Sequence, residues 1–291
     1  MKLNILLITY NQEKYIGQAL ESISMQKTSF EFNVIVADDC STDCTLDLIS
    51  KYAENSNIEF KFLPNTVNLG YNKNYERSIK SCDGEYIAVL EGDDYWTDPE
   101  RLEKHVQFLD NHKESSMTFN RIIFYYQDQN DYKINEWTVN DDFRYFTSKQ
   151  QLTGNKIGNL SACVFRRYIF DKLKPGLFDI KIADWMLGII FGQYGFITEL
   201  KDTMSVYRIH GKGQWSRQNE EEQIKGLINS IPIYNEYLDF KFNDDFIRYK
   251  NYLERSLIEK KKYGFRDFIP PVLIRIFEWI LPPVITRKLK K

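Results

Sequence analysis

The sequence predicts an α/β fold, a mostly parallel mixed sheet flanked by helices. Three observations carry that reading. Apolar runs of strand length alternate with segments of helical period through residues 1–115. Two of the runs end at acids, Asp38 with Asp39, and Glu91 with Asp93 and Asp94, and the carboxyl ends of strands are where open α/β sheets bind ligands. Finally, 291 residues of which 43% are hydrophobic can bury the core of one large domain, or of one domain plus an appendage.

Taken in order, LNILLIT at 3–9 is a continuous apolar strand, and YNQEKYIGQALESISMQ follows with Tyr15, Ile16, Ala19, Leu20 and Ile23 at helical spacing. FNVIVADD at 32–39 is a second strand. CSTDCTLDLISKYAE then reads as a helix capped by Ser41 or Thr42, with Asp43 in the favourable first turn. IEFKFLPN predicts a third strand, NYERSIKSC a helix, EYIAVLEGDD a fourth strand and ERLEKHVQFLDNH a helix. Residues 117–146 are aromatic and weakly periodic, expected as strands and loops. LSACVFRRYIF predicts a strand running into a helix, IADWMLGIIFGQYG a helix, and ITELKDTMSVYRIH a pair of strands. NEEEQIKGLINSIPIYNEYL and FIRYKNYLERSLIEKKKYG read as two surface helices.

Charge and cysteine usage exclude several classes. Thirty-nine Lys and Arg against 41 Asp and Glu leave a net charge of -2, which argues against a nucleic-acid partner. Cys40, Cys44, Cys82 and Cys163 show neither a disulfide framework nor paired CxxC zinc spacing. The first apolar run is too short for a signal peptide and no run reaches the roughly 18 to 20 residues of a membrane span, so a cytoplasmic location is expected. Residues 260–291 hold nine basic residues against two acidic ones, and FRDFIPPVLIRIFEWILPPVITRKLKK either lies in a membrane interface or packs on the domain as a helix.

The crowded acids need a compensating partner. Neighbouring carboxylates raise one another's pKa unless a cation or a donor-rich ligand offsets them. A hard divalent cation bridging to substrate phosphates suits Glu91, Asp93 and Asp94. No GxxxxGK[ST] and no GxGxxG after the first strand are present, so neither a P-loop nor a dinucleotide fold holds the phosphate.

ITYNQEKYI, VADDCSTDCT, NLGYNKNYERSI, DGEYIAVLEGDDYWTDPERLEKHVQFL and YRIHG together resemble the ordered signatures of glycosyltransferase family 2, inverting enzymes of GT-A fold. The resemblance is close through about residue 115 and patchier to about residue 215. It implies a GT-A domain at 1–218, with a nucleotide-binding half at 1–115 and an acceptor half at 116–218, and a helical extension at 219–291. It also implies that Thr9 and Tyr10 meet the nucleotide base, that Asp38 and Asp39 read base and ribose with Asp39 facing a uracil N–H, and that a Mn2+ or Mg2+ ion sits on Asp94, with Asp93 on ribose or metal.

Glu91 stands where Asp is commoner and is expected at the donor or its phosphates. Asp184 matches the general base, although Ala183 replaces the usual preceding acid, and Trp185 beside it would line the acceptor pocket. His210 is a further metal or diphosphate ligand, and Arg208, Lys212 and Arg217 neutralise phosphate.

The expected activity is non-processive transfer of one sugar from a nucleotide donor, UDP-linked, to a glycan or lipid-linked oligosaccharide in bacterial surface polysaccharide synthesis, with the basic tail at the inner membrane surface. GQWSR has the letters of the processive QxxRW motif in the wrong order. Two other readings stay open, a non-catalytic glycan-binding or scaffolding subunit and a sugar nucleotidyltransferase. Plainer roles stay open too: Asp38 or Asp39 as a helix cap, Asp93 and Asp94 as turn residues, and Asp184 as an acid at a helix start. His105 and His112 read as packed or surface residues, and Asn159-Leu160-Ser161 as a glycosylation sequon that a cytoplasmic protein does not use.

Overall fold

The computed structural model describes residues 1–135, 137–180, 184–211, 213 and 218–263. Their strands are β1 (Leu3–Thr9), β2 (Phe32–Asp38), β3 (Phe60–Phe62), β4 (Tyr86–Glu91), β5 (Tyr95–Trp96), β6 (Ser115–Tyr126), β7 (Asp131–Ile134), β8 (Phe143–Phe146), β9 (Cys163–Arg166) and β10 (Phe196–Ile209). The helices are α1 (Ile16–Ser24), α2 (Thr45–Glu54), α3 (Tyr71–Lys80), α4 (Arg101–Asn111), α5 (Ser148–Gln151), α6 (Arg167–Phe170), α7 (Asp184–Phe191), α8 (Glu220–Tyr237) and α9 (Asn243–Tyr263).

All ten strands join one sheet in the order β3-β2-β1-β4-β9-β6-β10-β5, with β7 added to β6 and β8 to β10. The first half, β3 to β4, is parallel, its strands joined by the long helical crossovers that parallel neighbours need. Beyond it the sheet is mixed: β9 runs antiparallel between β4 and β6, while β10 is parallel to β6 and antiparallel to β5 and β8. β1, β2 and β4 carry side chains buried on both faces, which is why they read as unbroken apolar runs.

Two local expectations are corrected. ITELKDTMSVYRIH forms one strand, not a pair: β10 follows β6 along its length, with register shifts between Leu200 and Ser205. Lys201 and Asp202 both face solvent there, and Asp202 pairs with Lys104 at 2.7 Å. Such an irregularity lets consecutive charges point outward without ending the strand. The second concerns α2, which starts at Thr45 after Cys44 with no side-chain cap. Ser41 turns instead to Asp38, donating from its backbone at 2.8 Å and from Oγ at 2.5 Å.

The C-terminal helices close the core. Asn219 and Glu222 form a capping box that starts α8. Ile231 and Tyr234 of α8, with Phe246 and Leu253 of α9, are buried in the cluster that contains Met117, Phe119 and Phe165 of the sheet. The helices expected on the surface therefore bury one side and expose the other. Trp185 is the centre of that packing, 1% exposed, with ring centroids 5.7 Å from Tyr234, 6.1 Å from Phe246 and 5.4 Å from Tyr249. Its Nε1 donates to the Gln151 carbonyl at 2.6 Å. Trp185 thus belongs to the core and does not line an acceptor pocket, because the apolar α7 turns it away from the acid that precedes it.

Candidate functional site

The site forms where β1, β2 and β4 end side by side. Thr9 pairs with Asp38 across β1 and β2, and Ile8 with Glu91 across β1 and β4. Thr9 is buried while Tyr10 is 46% exposed, so only Tyr10 offers a ring to a ligand.

Behind Tyr10 the chain is laced to the loop after β2. The Asn11 backbone takes the left-handed conformation (φ 53°), and its Oδ1 accepts from Thr42 N at 2.8 Å. Asn11 N donates to Ser41 Oγ at 2.9 Å, Gln12 N to Thr45 Oγ1 at 2.8 Å and Glu13 N to Asp43 Oδ2 at 3.1 Å. Ser, Thr and Asp side chains are the residue types that can satisfy free backbone N–H groups locally. An adjoining cleft of about 200 Å3 is lined by Tyr15, Asp43, Asp128 and His210, among others.

Asp38 and Asp39 both serve this rim. Asp38 holds Ser41, and its carbonyl accepts from Arg77 Nη2 at 2.7 Å. Asp39 is 4% exposed; its carboxylate accepts from Leu69 N at 2.8 Å, Gly70 N at 2.9 Å and Asn65 Nδ2 at 3.2 Å. The carboxylate expected to face a nucleobase is therefore the knot of the 65–70 loop, a partner for backbone first. Arg77 and Asn74 of α3, which spacing did not single out, tie that helix to the end of β2 through the Asp38 and Ala37 carbonyls.

Of the acids at the end of β4, Glu91 and Asp93 are half-buried and Asp94 is buried. Oxygens of Glu91, Asp93 and Asp94 lie within 4.8 Å of one another. Asp94 is 1% exposed and fully bonded: Oδ2 accepts from Asn159 Nδ2 at 2.5 Å and Ser161 Oγ at 2.6 Å, and Oδ1 from Arg208 N at 2.9 Å. Burial, then the neighbouring Asp93, pushes its carboxyl up to about 8. Asp94, expected as the principal metal ligand, stands in this acid cluster and also fastens β10 and the 159–161 segment to the turn. Asp93 has side-chain exposure of 20% and lies 3.1 Å from His210 Nε2 through Oδ2. A carboxylate beside an imidazole, with like charge crowded behind it, fits a divalent cation.

The sequon residues Asn159 and Ser161 are buried parts of this network, 6% and 1% exposed. Ser161 also accepts from Glu91 N at 3.1 Å, and its carbonyl accepts from Trp96 Nε1 at 2.8 Å and Arg101 Nη2 at 3.1 Å. His105 is packed at 0% exposure against Thr118 and Asn120, 2.8 and 3.2 Å away.

Arg208 is also corrected. It is 5% exposed; Nε donates to the Asp93 carbonyl at 2.8 Å, its other nitrogens to Gln127 and Gln18, and the guanidinium lies among Tyr15, Tyr95 and Tyr125 at 5.0 to 5.4 Å. With its donors engaged it bolts the Asp93 turn to β10 and does not reach a phosphate. Arg208→Lys keeps the charge but loses the forked geometry. We expect about a three- to ten-fold rise in KM for the donor with kcat less affected, read from steady-state kinetics.

Asp184 starts α7 across the same edge. Its Oδ2 accepts from Asn155 Nδ2 at 2.8 Å, and Asn155 stands four residues before Asn159. One loop therefore holds both Asp184 and Asp94. Burial, opposed by the Asn155 hydrogen bond, pushes the Asp184 carboxyl up to about 6. Burial, and then Glu91 and Asp184, push up the Tyr71 phenol. Lys212, Arg217 and the basic stretch from 264 onward lie outside the described residues. No helix among the described residues is long and apolar enough to cross a membrane.

The family model of glycosyl transferase family 2 matches residues 4–174. An uncharacterised protein of Mycobacterium tuberculosis is 36% identical over 213 residues, covering 73% of this chain and 60% of that protein. This chain thus spans about 60% of the length of those curated relatives. The poly(ribitol-phosphate) beta-N-acetylglucosaminyltransferase TarS of Staphylococcus aureus is 37% identical over 113 residues, 38% of this chain and 19% of TarS.

Among solved structures, S. aureus TarS 1-349 in complex with UDP-GlcNAc aligns with a TM-score of 0.59 at 22% identity, over 79% of this chain and 66% of that one. The mannosyltransferase PcManGT from Pyrobaculum calidifontis, in complex with GDP-Man and Mn2+, gives a TM-score of 0.59 at 13% identity, over 95% and 79%. At those identities the two structures establish a shared GT-A fold.

Proposed function

The chain belongs to glycosyl transferase family 2, and from that premise we propose that it moves one sugar, with inversion, from a nucleotide donor to a glycan or lipid-linked acceptor in bacterial surface polysaccharide synthesis. Uridine is the proposed base, since TarS is described with UDP-GlcNAc. The observation that carries this reading is the pairing of two differently placed acids on one edge: Asp93 beside His210, and Asp184 held by Asn155.

Each residue then has a task. Tyr10 stacks on the base, and the laced loops 11–13 and 41–45 hold the nucleoside end. Asp93 and His210 would hold a Mn2+ or Mg2+ ion, which when bound offsets the charge of the departing diphosphate. Asp184 accepts the proton of the acceptor hydroxyl while that oxygen bonds to the anomeric carbon and the bond to the diphosphate breaks. Asn155 orients Asp184, and its carboxyl near 6 leaves it largely ionised at neutral pH.

The test is release of nucleoside diphosphate from UDP- and GDP-sugars with Mn2+, with and without chelator. Release that chelation abolishes supports the reading. Release of pyrophosphate instead would mark a nucleotidyltransferase, and binding of glycan without any release a non-catalytic subunit.

A further inference from the structure

We infer that Arg101, a fully buried residue of α4, is a positioning residue that sets the spacing of Asp93 from His210. This deepens the proposed transfer reaction and rests on it.

Arg101 is 0% exposed, and among the described residues no carboxylate pairs with it. Its guanidinium lies 4.3 Å from the Trp96 ring, and Nη1 is buried without a partner. A buried charge of this kind costs stability, and apolar residues of similar volume often replace one without loss. Nor do its acceptors depend on it. Nη2 donates to the Ser161 carbonyl at 3.1 Å, which Trp96 Nε1 also serves at 2.8 Å. Nε donates to Asn120 Oδ1 at 3.0 Å, and His105 Nε2 lies 3.2 Å from the same oxygen. Satisfying those acceptors therefore does not account for the residue.

Its distinctive task is to join two other groups. Among the described residues no other side chain bonds to both Asn120 of β6 and Ser161, and that join closes a circuit around the acid turn. Asp94 Oδ2 accepts from Ser161 Oγ at 2.6 Å, Ser161 from Arg101, and Asn120 from Arg101 in turn. Asn120 Nδ2 donates to Ser205 Oγ at 3.0 Å, and β10 carries Ser205 on to Arg208, whose N donates to the other Asp94 oxygen at 2.9 Å. Both oxygens of one carboxylate are thus gripped from two sides of a circuit that Arg101 completes. Asp93 precedes the gripped residue and His210 follows Arg208 by two, so the circuit fixes both ends of their 3.1 Å contact. Opened at Arg101, it leaves Ser161 free to shift against β6 and β10, and a displacement of about 1 Å is enough to spoil a ligating or reacting geometry.

The experiment is calorimetry of the full chain with Mn2+ and UDP, or GDP where UDP does not bind, on wild type, Arg101→Met and Arg101→Lys, each held well below its own melting temperature. The first variant removes the charge and the join; the second keeps the charge but cannot span both acceptors. Both should bind at least about ten-fold more weakly, and Arg101→Met should melt no lower than wild type. A role in the fold alone would lower the melting temperature and leave the affinity of the folded protein unmoved. Wild-type affinity in either folded variant overturns the inference and leaves glycosyl transfer standing. Should Arg101→Met melt lower or fail to fold, Arg101→Lys decides. A wild-type protein that binds neither nucleotide with Mn2+ overturns the inference together with the transfer reading.

Discussion

Asp184→Asn should lower turnover by at least about 10²-fold while leaving donor affinity unchanged, because it removes the proton acceptor and touches nothing that holds the nucleotide. The wild-type rate should fall as pH drops through about 6, where the Asp184 carboxyl takes up its proton. The same substitution should stabilise the fold, and the sign follows from linkage. The carboxyl rises from 3.8 in the unfolded chain to about 6 when folded, so burying the ionised form costs stability. That cost is absent below about 3.8, grows between the two values and is full above 6. The amide of the variant carries no charge, so its advantage, on the order of 1–3 kcal/mol, should be present at pH 7 and vanish near pH 4. Thermal melts at both pH values, beside steady-state kinetics, check it. Normal turnover would remove Asp184 as the base.

Asp93 and Asp94 are adjacent in sequence and should fail in opposite ways. Asp93→Asn should abolish Mn2+-dependent donor binding and leave the melting behaviour within about 0.5 kcal/mol of wild type, since the Asp93 carboxylate is one-fifth exposed and meets one side chain, His210, to which the amide oxygen can still bond. Asp94→Ala strands the donors of Asn159, Ser161 and Arg208 in a buried site, and about 2–4 kcal/mol of stability should be lost. Calorimetry of Mn2+ with nucleotide, paired with denaturant unfolding, separates the two. If Asp94→Ala melts normally and Asp93→Asn binds Mn2+ with nucleotide normally, the roles assigned here are reversed.

These two residues also mark how far the sequence could be read. Strands β1, β2 and β4 were legible because burial on both faces leaves an unbroken apolar string, and the acids that stop them announced the ligand edge. Which acid of a neighbouring pair faces outward was not legible. Alternation ends with the strand, and the turn geometry depends on donors supplied from Asn159, Ser161 and Arg208, far along the chain. Arg208 carried the ordinary sign of a phosphate ligand, yet three tyrosines from distant segments enclose it. Trp185 was misread because a tryptophan next to an acid looks exposed until α8 and α9 cover it. The one signal in the 155–161 loop, the sequon at Asn159-Leu160-Ser161, pointed to the surface, since small polar residues there look like any exposed connection, whereas Asn159 and Ser161 are buried.

Asp39 has a consequence for the nucleotide edge as a whole. Its carboxylate cinches residues 65–70, and the 11–13 and 41–45 segments are stitched to each other, so the cradle proposed for the nucleoside is held by the chain's own hydrogen bonds. Little chain has to be ordered on arrival, so attractive interactions there can act on the phosphates instead. If this edge holds a nucleoside, discrimination there would come from misfit against a stiff frame, with a wrong base turned away by shape rather than by a failure to close.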